Sequence, residues 1–178
     1  MVKKLYWCIA IILLALELGC SASKLNHTTL SYGDEAKWDR YRPVDLAAIM
    51  SQHPGFIEVS EDNVLNINAI AHQIPYRIRM NYEGETREIS KKKKDLILYW
   101  AKSIGADNKF VKAFNSEVAF QHDNKIYWFP TQSQLLPFLY KEVHSGEEIF
   151  LYTMFIGTLK ENGQIQWVFI VNEFRNED

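Results

Sequence analysis

The longest hydrophobic pattern in the chain lies between Glu147 and Phe174, where two apolar runs flank Asn162-Gly163. This dipeptide fits a type I′ hairpin turn, because both central residues of that turn take positive φ. Both faces of such a hairpin are apolar, so we expect other elements to cover each side. A turn centred there pairs Ile156 with Phe169, Met154 with Val171, Thr158 with Trp167, and Phe155 with Ile170.

Shorter patterns occupy the region before residue 75. Pro43 and the apolar positions that follow it up to Met50 predict a short helix, which ends before Pro54-Gly55. Two short alternations of apolar and polar residues, Phe56–Val59 and Val64–Ile70, predict a small hairpin.

The segment from Pro75 to Tyr82 alternates regularly between apolar and polar residues, which predicts a strand. Gly84 is expected to form the turn into a further strand, Glu85–Ile89. The apolar face holds Tyr76, Ile78, Met80 and Tyr82, and the face expected to meet water holds Arg77, Arg79 and Asn81.

The next segment carries the strongest helical pattern, Lys91–Ile104, with Ser90 as its N-cap and Gly105 after its end. Asp107–Phe114 predicts a second, shorter helix. Three polar residues, His122-Asp123-Asn124, separate two apolar segments and predict another hairpin, built from Val118–Gln121 and Lys125–Phe129. Ser133 can cap a further helix over Gln134–Val143.

This order of elements favours an α+β fold, in which an antiparallel sheet of hairpins packs with two or three helices in a single domain. Most strands are joined by turns and not by crossover helices. We therefore expect no doubly wound nucleotide-binding sheet.

The first residues differ from the rest of the chain. Lys3 and Lys4 precede an unbroken apolar run, Leu5–Leu16, and small residues follow it, as in an export signal. Leu16-Glu17-Leu18-Gly19-Cys20 resembles the lipobox of bacterial lipoproteins, whose cysteine is diacylated and becomes the mature N-terminus. The resemblance is confined to this segment and implies lipidation of Cys20, a membrane anchor and a location in the cell envelope.

Two alternatives to lipidation stay open: ordinary cleavage after Ala22 or Ser23, and an uncleaved anchor. We divide the chain into a signal peptide (1–20), a polar tether (21–37) and a globular domain (38–178). Cys8 lies within the signal, so the mature domain has no thiols to pair and must depend on its core for stability.

Composition supports a core and argues against nucleic acid as a partner. Of the 178 residues, 47% are hydrophobic and 13% aromatic, which suits a dense globular interior. The formal net charge of −2 provides no basic surface field of the kind that nucleic-acid binding requires.

The sequence contains no recognisable catalytic motif. It has no glycine-rich phosphate loop, no nucleophile elbow and no zinc-binding helix, so we predict no catalytic residue, no cofactor and no metal site. Glu147 and Glu148 are neighbours on a strand, point to opposite faces and form no acid–base pair. The histidines His53, His72, His122 and His144 are well separated, and a surface or loop role is expected for each.

Two sets of residues are candidate binding positions. Four consecutive cations, Lys91, Lys92, Lys93 and Lys94, oppose the helix dipole in the first turn. A solvated helix start explains them, and the alternative is contact with anionic lipid or an acidic partner. The second set comprises the polar positions within the final hairpin, Tyr152, Thr153, Asn172 and Glu173, which either mark where the strands leave the core or line a pocket.

Three functions fit these features. The first is a tethered, non-catalytic envelope protein that binds a protein partner, as an immunity-type protein that blocks a toxin would. The second is a carrier of an apolar ligand or lipid, which a continuous cavity lined by Tyr99, Trp100, Phe155 and Trp167 would favour. The third is a hydrolase with a site assembled by the fold, which two histidines close to an aspartate or glutamate would favour. We favour the first.

Overall fold

The computed structural model describes residues 40–52, 67–161 and 163–176, with the backbone alone described for residues 67–73. Ten elements follow one another in these ranges. The strands are β1 (Arg42–Pro43), β2 (Ile67–Glu88), β3 (Ser116–His122), β4 (Lys125–Thr131), β5 (Glu148–Glu161) and β6 (Gln164–Arg175). The helices are α1 (Leu46–Gln52), α2 (Lys91–Ser103), α3 (Asn108–Lys112) and α4 (Leu136–Glu142).

The six strands form one mixed sheet in the order β1-β2-β3-β4-β6-β5, and β2 also pairs with β5. This additional pairing closes β2, β3, β4, β6 and β5 into a ring, which reduces the number of unpaired strand edges. β1 pairs with β2, and β4 with β6, in parallel, and the other described pairings are antiparallel. The predicted α+β class is confirmed, but a purely antiparallel sheet is correct only in part, and the described residues form four helices where two or three were predicted. The two parallel pairings join strands that are distant in sequence, so no hairpin pattern reveals them.

The long strand β2 closes the ring because it serves two neighbours in turn. It pairs with β5 as far as Asn81, and from Asn81 onward it pairs with β3. The register shifts between Tyr82 and Thr86, around Gly84 with its φ of +79°. The prediction of a turn between two strands at Gly84 is therefore wrong. This glycine lies at a register shift within one continuous strand, where a bulge bends the strand.

The final hairpin forms as predicted, but its pairing register changes twice. Thr158 faces Trp167 as predicted, whereas Phe155 faces Phe169 and Met154 faces Ile170. One shift leaves Ile156 without an opposite residue, next to Gly157 with its φ of +144°, and the second leaves Asn172 without one. Each inserted residue is a β-bulge, and so the other three predicted pairs are wrong by one position.

Two hydrophobic clusters cover the two sides of this hairpin, which confirms that both of its faces are buried. The cluster inside the strand ring contains Ile78, Met80, Phe120, Phe129, Phe155 and Phe169, with Leu46 of α1 and Leu139 of α4. The cluster outside it contains Leu96, Ile97 and Trp100 of α2 and Phe110 of α3, packed on Met154, Ile156 and Ile170.

The helix bounds agree with the sequence pattern to within a few residues, but two predicted helix starts are wrong. Pro43 belongs to β1 and does not begin α1. Ser133 does not cap α4, because its hydroxyl donates to the carbonyl of Ala113 and Leu135 precedes the helix without a side-chain cap. Ser90 caps α2, because its hydroxyl accepts a hydrogen bond from the Lys93 N–H at 3.3 Å. Gly105 follows the helix with a φ of +72°. The predicted strand segments at Phe56–Val59 and Val64–Asn66 lie outside the described residues, while Ile67–Ile70 opens β2. None of the helices in the described ranges is long and apolar enough to cross a membrane.

Candidate functional site

An open cleft of about 420 Å³ lies on the outer surface, where β2, β5 and the end of β3 meet β1 and the two residues before α1. Its volume is within the range of about 300–1,000 Å³ that small-ligand sites occupy. Both apolar and charged side chains line it. The cleft is lined by Pro43, Val44, Asp45, Arg77, Arg79, His122 and Phe150.

The two arginines reach the cleft because β2 alternates as its sequence predicts. Tyr76, Ile78 and Met80 are buried, so the residues between them point outward. Arg79 lies opposite Phe150 in the β2–β5 register. The guanidinium carbon of Arg79 is 4.8 Å from the centre of the Phe150 ring, and that of Arg77 is 5.5 Å from it. Both cations thus lie within cation–π distance of one aromatic ring.

The carboxylate of Glu148 contacts one of the two arginines, Arg79. An oxygen of Glu148 lies 3.3 Å from Nη1 of Arg79. Both side chains are more than half exposed, at 59% for Arg79 and 55% for Glu148. Exposed ion pairs of this kind contribute at most about 1 kcal/mol, so this contact is easily exchanged.

The opposite wall of the cleft is fixed by hydrogen bonds from the segment before α1. The Val44 N–H donates to the carbonyl of Arg77 at 3.1 Å, which continues the parallel pairing of β1 with β2. Oδ1 of Asp45 accepts a hydrogen bond from the Ala47 N–H at 3.1 Å and lies 3.0 Å from Nε2 of His122. The Asp45 carboxylate is therefore engaged both with the first turn of α1 and with the end of β3.

His122 is the last residue of β3, directly before the predicted tight turn into β4. Asp123 and Asn124 have φ values of +48° and +60°, as a tight hairpin turn requires. His122 contacts Asp45 and, at 3.6 Å, Asp123. His53 lies outside the described residues, and His144 is an exposed loop residue. The described part of the chain brings together no group of three or more side chains that could hold a metal ion.

The lysine run at the start of α2 divides into different environments. Lys91 and Lys92 are exposed, as a solvated helix start predicts, and Lys94 pairs with Glu88 at 3.2 Å. Lys93 differs from both predicted roles, because its side chain is only 3% exposed and forms an ion pair with Glu117. Its ammonium group also donates to the carbonyl of Trp128 at 3.1 Å.

The ion pair of Lys93 belongs to a larger group that also includes the half-exposed Arg87. The carboxylate of Glu117 is 1% exposed and also accepts a hydrogen bond from Nε of Arg87 at 2.7 Å. The Arg87 guanidinium lies over the Trp128 ring, 4.0 Å from its centre. Burial lowers the pKa of Lys93, and the negative charge of Glu117 opposes this effect.

This group was not predicted, although the position of Lys93 in the helix indicates that its side chain is buried. It precedes Leu96, Ile97 and Trp100 by three, four and seven positions, which places it on the buried face of the helix. Glu117 gives no such signal, because it comes from a strand distant in sequence.

The four polar positions of the final hairpin are all buried and belong to internal contacts. The hydroxyl of Thr153 donates to the carbonyl of Tyr76 at 3.2 Å. Asn172 accepts from Gln132 at 3.0 Å, and its amide donates to the hydroxyl of Tyr41 at 3.2 Å. Burial raises the pKa of Tyr41, while the hydrogen bond from Asn172 opposes this shift and the charge of Glu173 adds to it.

Tyr152 and Glu173 are opposite each other on β5 and β6. The Tyr152 ring meets the ring of Tyr41 edge-on at 5.4 Å, and the Arg175 guanidinium lies 5.6 Å from its centre. An oxygen of Glu173 accepts a hydrogen bond from the Phe174 N–H at 3.0 Å. Asn172 and Tyr152 thus attach Tyr41, which directly precedes β1, to the sheet. None of the four polar hairpin residues lines the cleft.

The residues proposed to line a carrier cavity do not face a common space. Trp100 belongs to the cluster outside the strand ring, whereas Phe155 belongs to the cluster inside it. Tyr99 is among the exposed large side chains.

No protein-family model and no curated protein sequence matches this chain. Cys20, the predicted signal peptide and the predicted tether lie outside the described residues.

Proposed function

We propose that this protein is an exported, lipid-anchored protein of the cell envelope, facing the periplasm or the exterior, that binds a protein partner and has no catalytic role. The cleft formed by Arg77, Arg79 and Phe150 supports the binding role, because it is open, combines charge with apolar walls and has one histidine among its described lining residues. The lipobox-like segment at residues 16–20 supports the anchor. Such a surface suits recognition better than chemistry.

The interior of the domain supports a binding role over the transport of an apolar ligand. Aromatic side chains fill the strand ring, with the centres of Phe129 and Phe169 5.2 Å apart and those of Phe155 and Phe169 5.0 Å apart. Helix α2 packs directly against the outer face of the same hairpin. The surface therefore offers the better binding position.

Lipid attachment is tested by labelling cells with a fatty-acid analogue. We expect the parent chain to incorporate label and Cys20→Ala to lose it. Cys8→Ala is the matched control, because this cysteine lies within the predicted signal and its loss leaves labelling unchanged. Equal labelling of the parent and Cys20→Ala would refute the anchor.

Partner binding is tested by affinity capture with the full-length chain from envelope and secreted fractions, followed by analysis of proteins and extracted lipids. We expect a protein that co-purifies with the parent and with Lys102→Gln, an exposed helix residue outside the cleft, but not with Arg79→Gln. Lipid without protein would instead favour a carrier. Equal capture of the protein by the parent and by Arg79→Gln would exclude the cleft as the binding site.

A further inference from the structure

We propose that the cleft binds a single carboxylate of the partner, presented beside an apolar side chain, and that Glu148 takes the place of this carboxylate in the free protein. The inference rests on the proposed binding function and specifies its chemistry. The contact between Glu148 and Arg79 is the observation that leads to it.

The arginine pair is suited to a carboxylate. A guanidinium group offers several N–H donors in one plane, which can bind both oxygens of a carboxylate. Phe150 restricts the orientation of Arg77 and Arg79 before any ligand arrives. Less conformational freedom is then lost on binding. Glu148 shows that a carboxylate reaches Arg79 in this orientation.

Exchange of Glu148 for a ligand carboxylate is favourable because the two lie in different surroundings. Glu148 approaches from the exposed end of the arginine pair, where water weakens the attraction. A ligand within the cleft lies between Phe150 and the wall formed by Pro43 and Val44, and so loses more water. Attraction between charges is stronger in such a partly dehydrated place, and burial of the neighbouring apolar side chain against these walls offsets the cost of removing water from the carboxylate.

The other charges near the cleft favour one carboxylate over a multiply charged surface. Asp45 lies on the opposite wall and Asp123 contacts His122 beside it. Their negative charges oppose a phosphate dianion or a dense anionic lipid surface, while the apolar walls favour a neighbouring hydrocarbon side chain. A protein segment with one aspartate or glutamate next to an apolar residue meets both conditions.

The test measures binding of fluorescent peptides to the full-length protein in detergent micelles by fluorescence anisotropy. One peptide contains Leu-Glu-Leu and its match contains Leu-Gln-Leu. We expect the glutamate peptide to bind more tightly. We expect Arg79→Gln to weaken its binding by about tenfold or more, because a charge-assisted hydrogen bond contributes about 1.5–3 kcal/mol. Lys102→Gln controls for the loss of a positive charge elsewhere.

Glu148→Gln provides the more specific measurement. Removal of the internal competitor is expected to tighten binding of the glutamate peptide by about two- to fivefold, since an exposed ion pair is worth up to about 1 kcal/mol. Glu85→Gln, an exposed substitution also on the sheet, is the matched control and leaves affinity unchanged. Glu148 is exposed, so its variant folds even if the arginine variants lose stability.

Three results would overturn the inference: equal binding of the two peptides, no gain from Glu148→Gln, or stronger Arg79-dependent binding of inorganic phosphate, or of phosphatidylglycerol added to the same micelles, than of the peptide. If a partner is captured through Arg79 but neither peptide binds, the carboxylate assignment alone fails. If capture and peptide binding are both independent of Arg79, the proposed function of the cleft fails with it.

Discussion

Replacement of Lys93 by methionine tests the buried ion pair at the start of α2. Methionine keeps the length and apolar body of the side chain but removes the charge that neutralises Glu117. The Glu117 carboxylate is 1% exposed, so water cannot replace the lost partner. The carbonyl of Trp128 also loses the hydrogen bond that it accepts from Lys93.

The expected loss of stability is about 3 kcal/mol. Removal of one member of a buried ion pair costs about 3–5 kcal/mol, because the other charge remains buried. The lower end applies here, since the half-exposed Arg87 still donates to Glu117 at 2.7 Å. Lys92→Met is the matched control in the same helical turn. It removes an exposed cation from the positive end of the helix dipole together with an exposed hydrogen bond of 3.4 Å to the carbonyl of Lys160, so we expect a change of at most about 1 kcal/mol in either direction.

Urea unfolding followed by tryptophan fluorescence measures both variants, with an unchanged dependence on urea as the sign that the native fold is retained. The double variant Lys93→Met/Glu117→Gln is expected to be more stable than the sum of the single losses predicts, because it removes both charges. A loss below about 1 kcal/mol for Lys93→Met, or a loss equal to that of Lys92→Met, would refute the structural role of Lys93.

The same ion pair predicts a dependence of stability on pH. Burial lowers the pKa of Lys93 in the folded state below its ordinary value of 10.5. Between these two values the unfolded chain binds more protons than the folded chain, so the contribution of Lys93 makes stability rise with pH. Comparison of the parent with Lys93→Met over this alkaline range isolates the contribution, and a difference that does not change with pH would contradict it.

Three further substitutions test other parts of the fold. Tyr41→Phe is expected to reduce stability by about 1–3 kcal/mol, because the amide of Asn172 is buried and loses an acceptor; an unfolding midpoint equal to that of the parent would contradict this. Gly84→Ala and Gly163→Ala both place a side chain at positive φ, but only the former brings a new Cβ to 3.3 Å from Ser145. We expect both variants to lose about 1 kcal/mol or more of unfolding free energy, and Gly84→Ala to lose more than Gly163→Ala. An equal loss in urea unfolding would show that the Ser145 side chain moves aside at no cost.

Features that depend on neighbouring residues could be predicted from the sequence. The alternation from Pro75 to Tyr82 correctly separates the buried face of β2 from the face that bears Arg77 and Arg79. Ser90 caps α2 through its own side chain, and the turn after His122 depends on the two residues that follow. In each case the controlling interaction spans only a few positions along the chain.

The register of the final hairpin could not be predicted because it depends on the rest of the sheet. A regular pattern continues through Ile156 and Asn172, yet each of these residues is an additional residue in its strand. Bulges increase the local twist and bend a strand, which a sheet needs when it closes on itself. Closure requires β5 to pair with β2, and Ile67 and Leu159, a matched pair, are far apart along the chain.

The cleft depends on the same distant pairing. Arg79 belongs to a surface that the sequence marks only as polar, and it becomes part of a site because Phe150 lies opposite it in the neighbouring strand. A slip of one residue would place Ile149 or Leu151 opposite Arg79 and turn those buried side chains toward water. The burial of the hydrophobic residues that flank Phe150 therefore holds the aromatic ring beneath the arginines. The stability of the core and the geometry of the candidate site are set by one register.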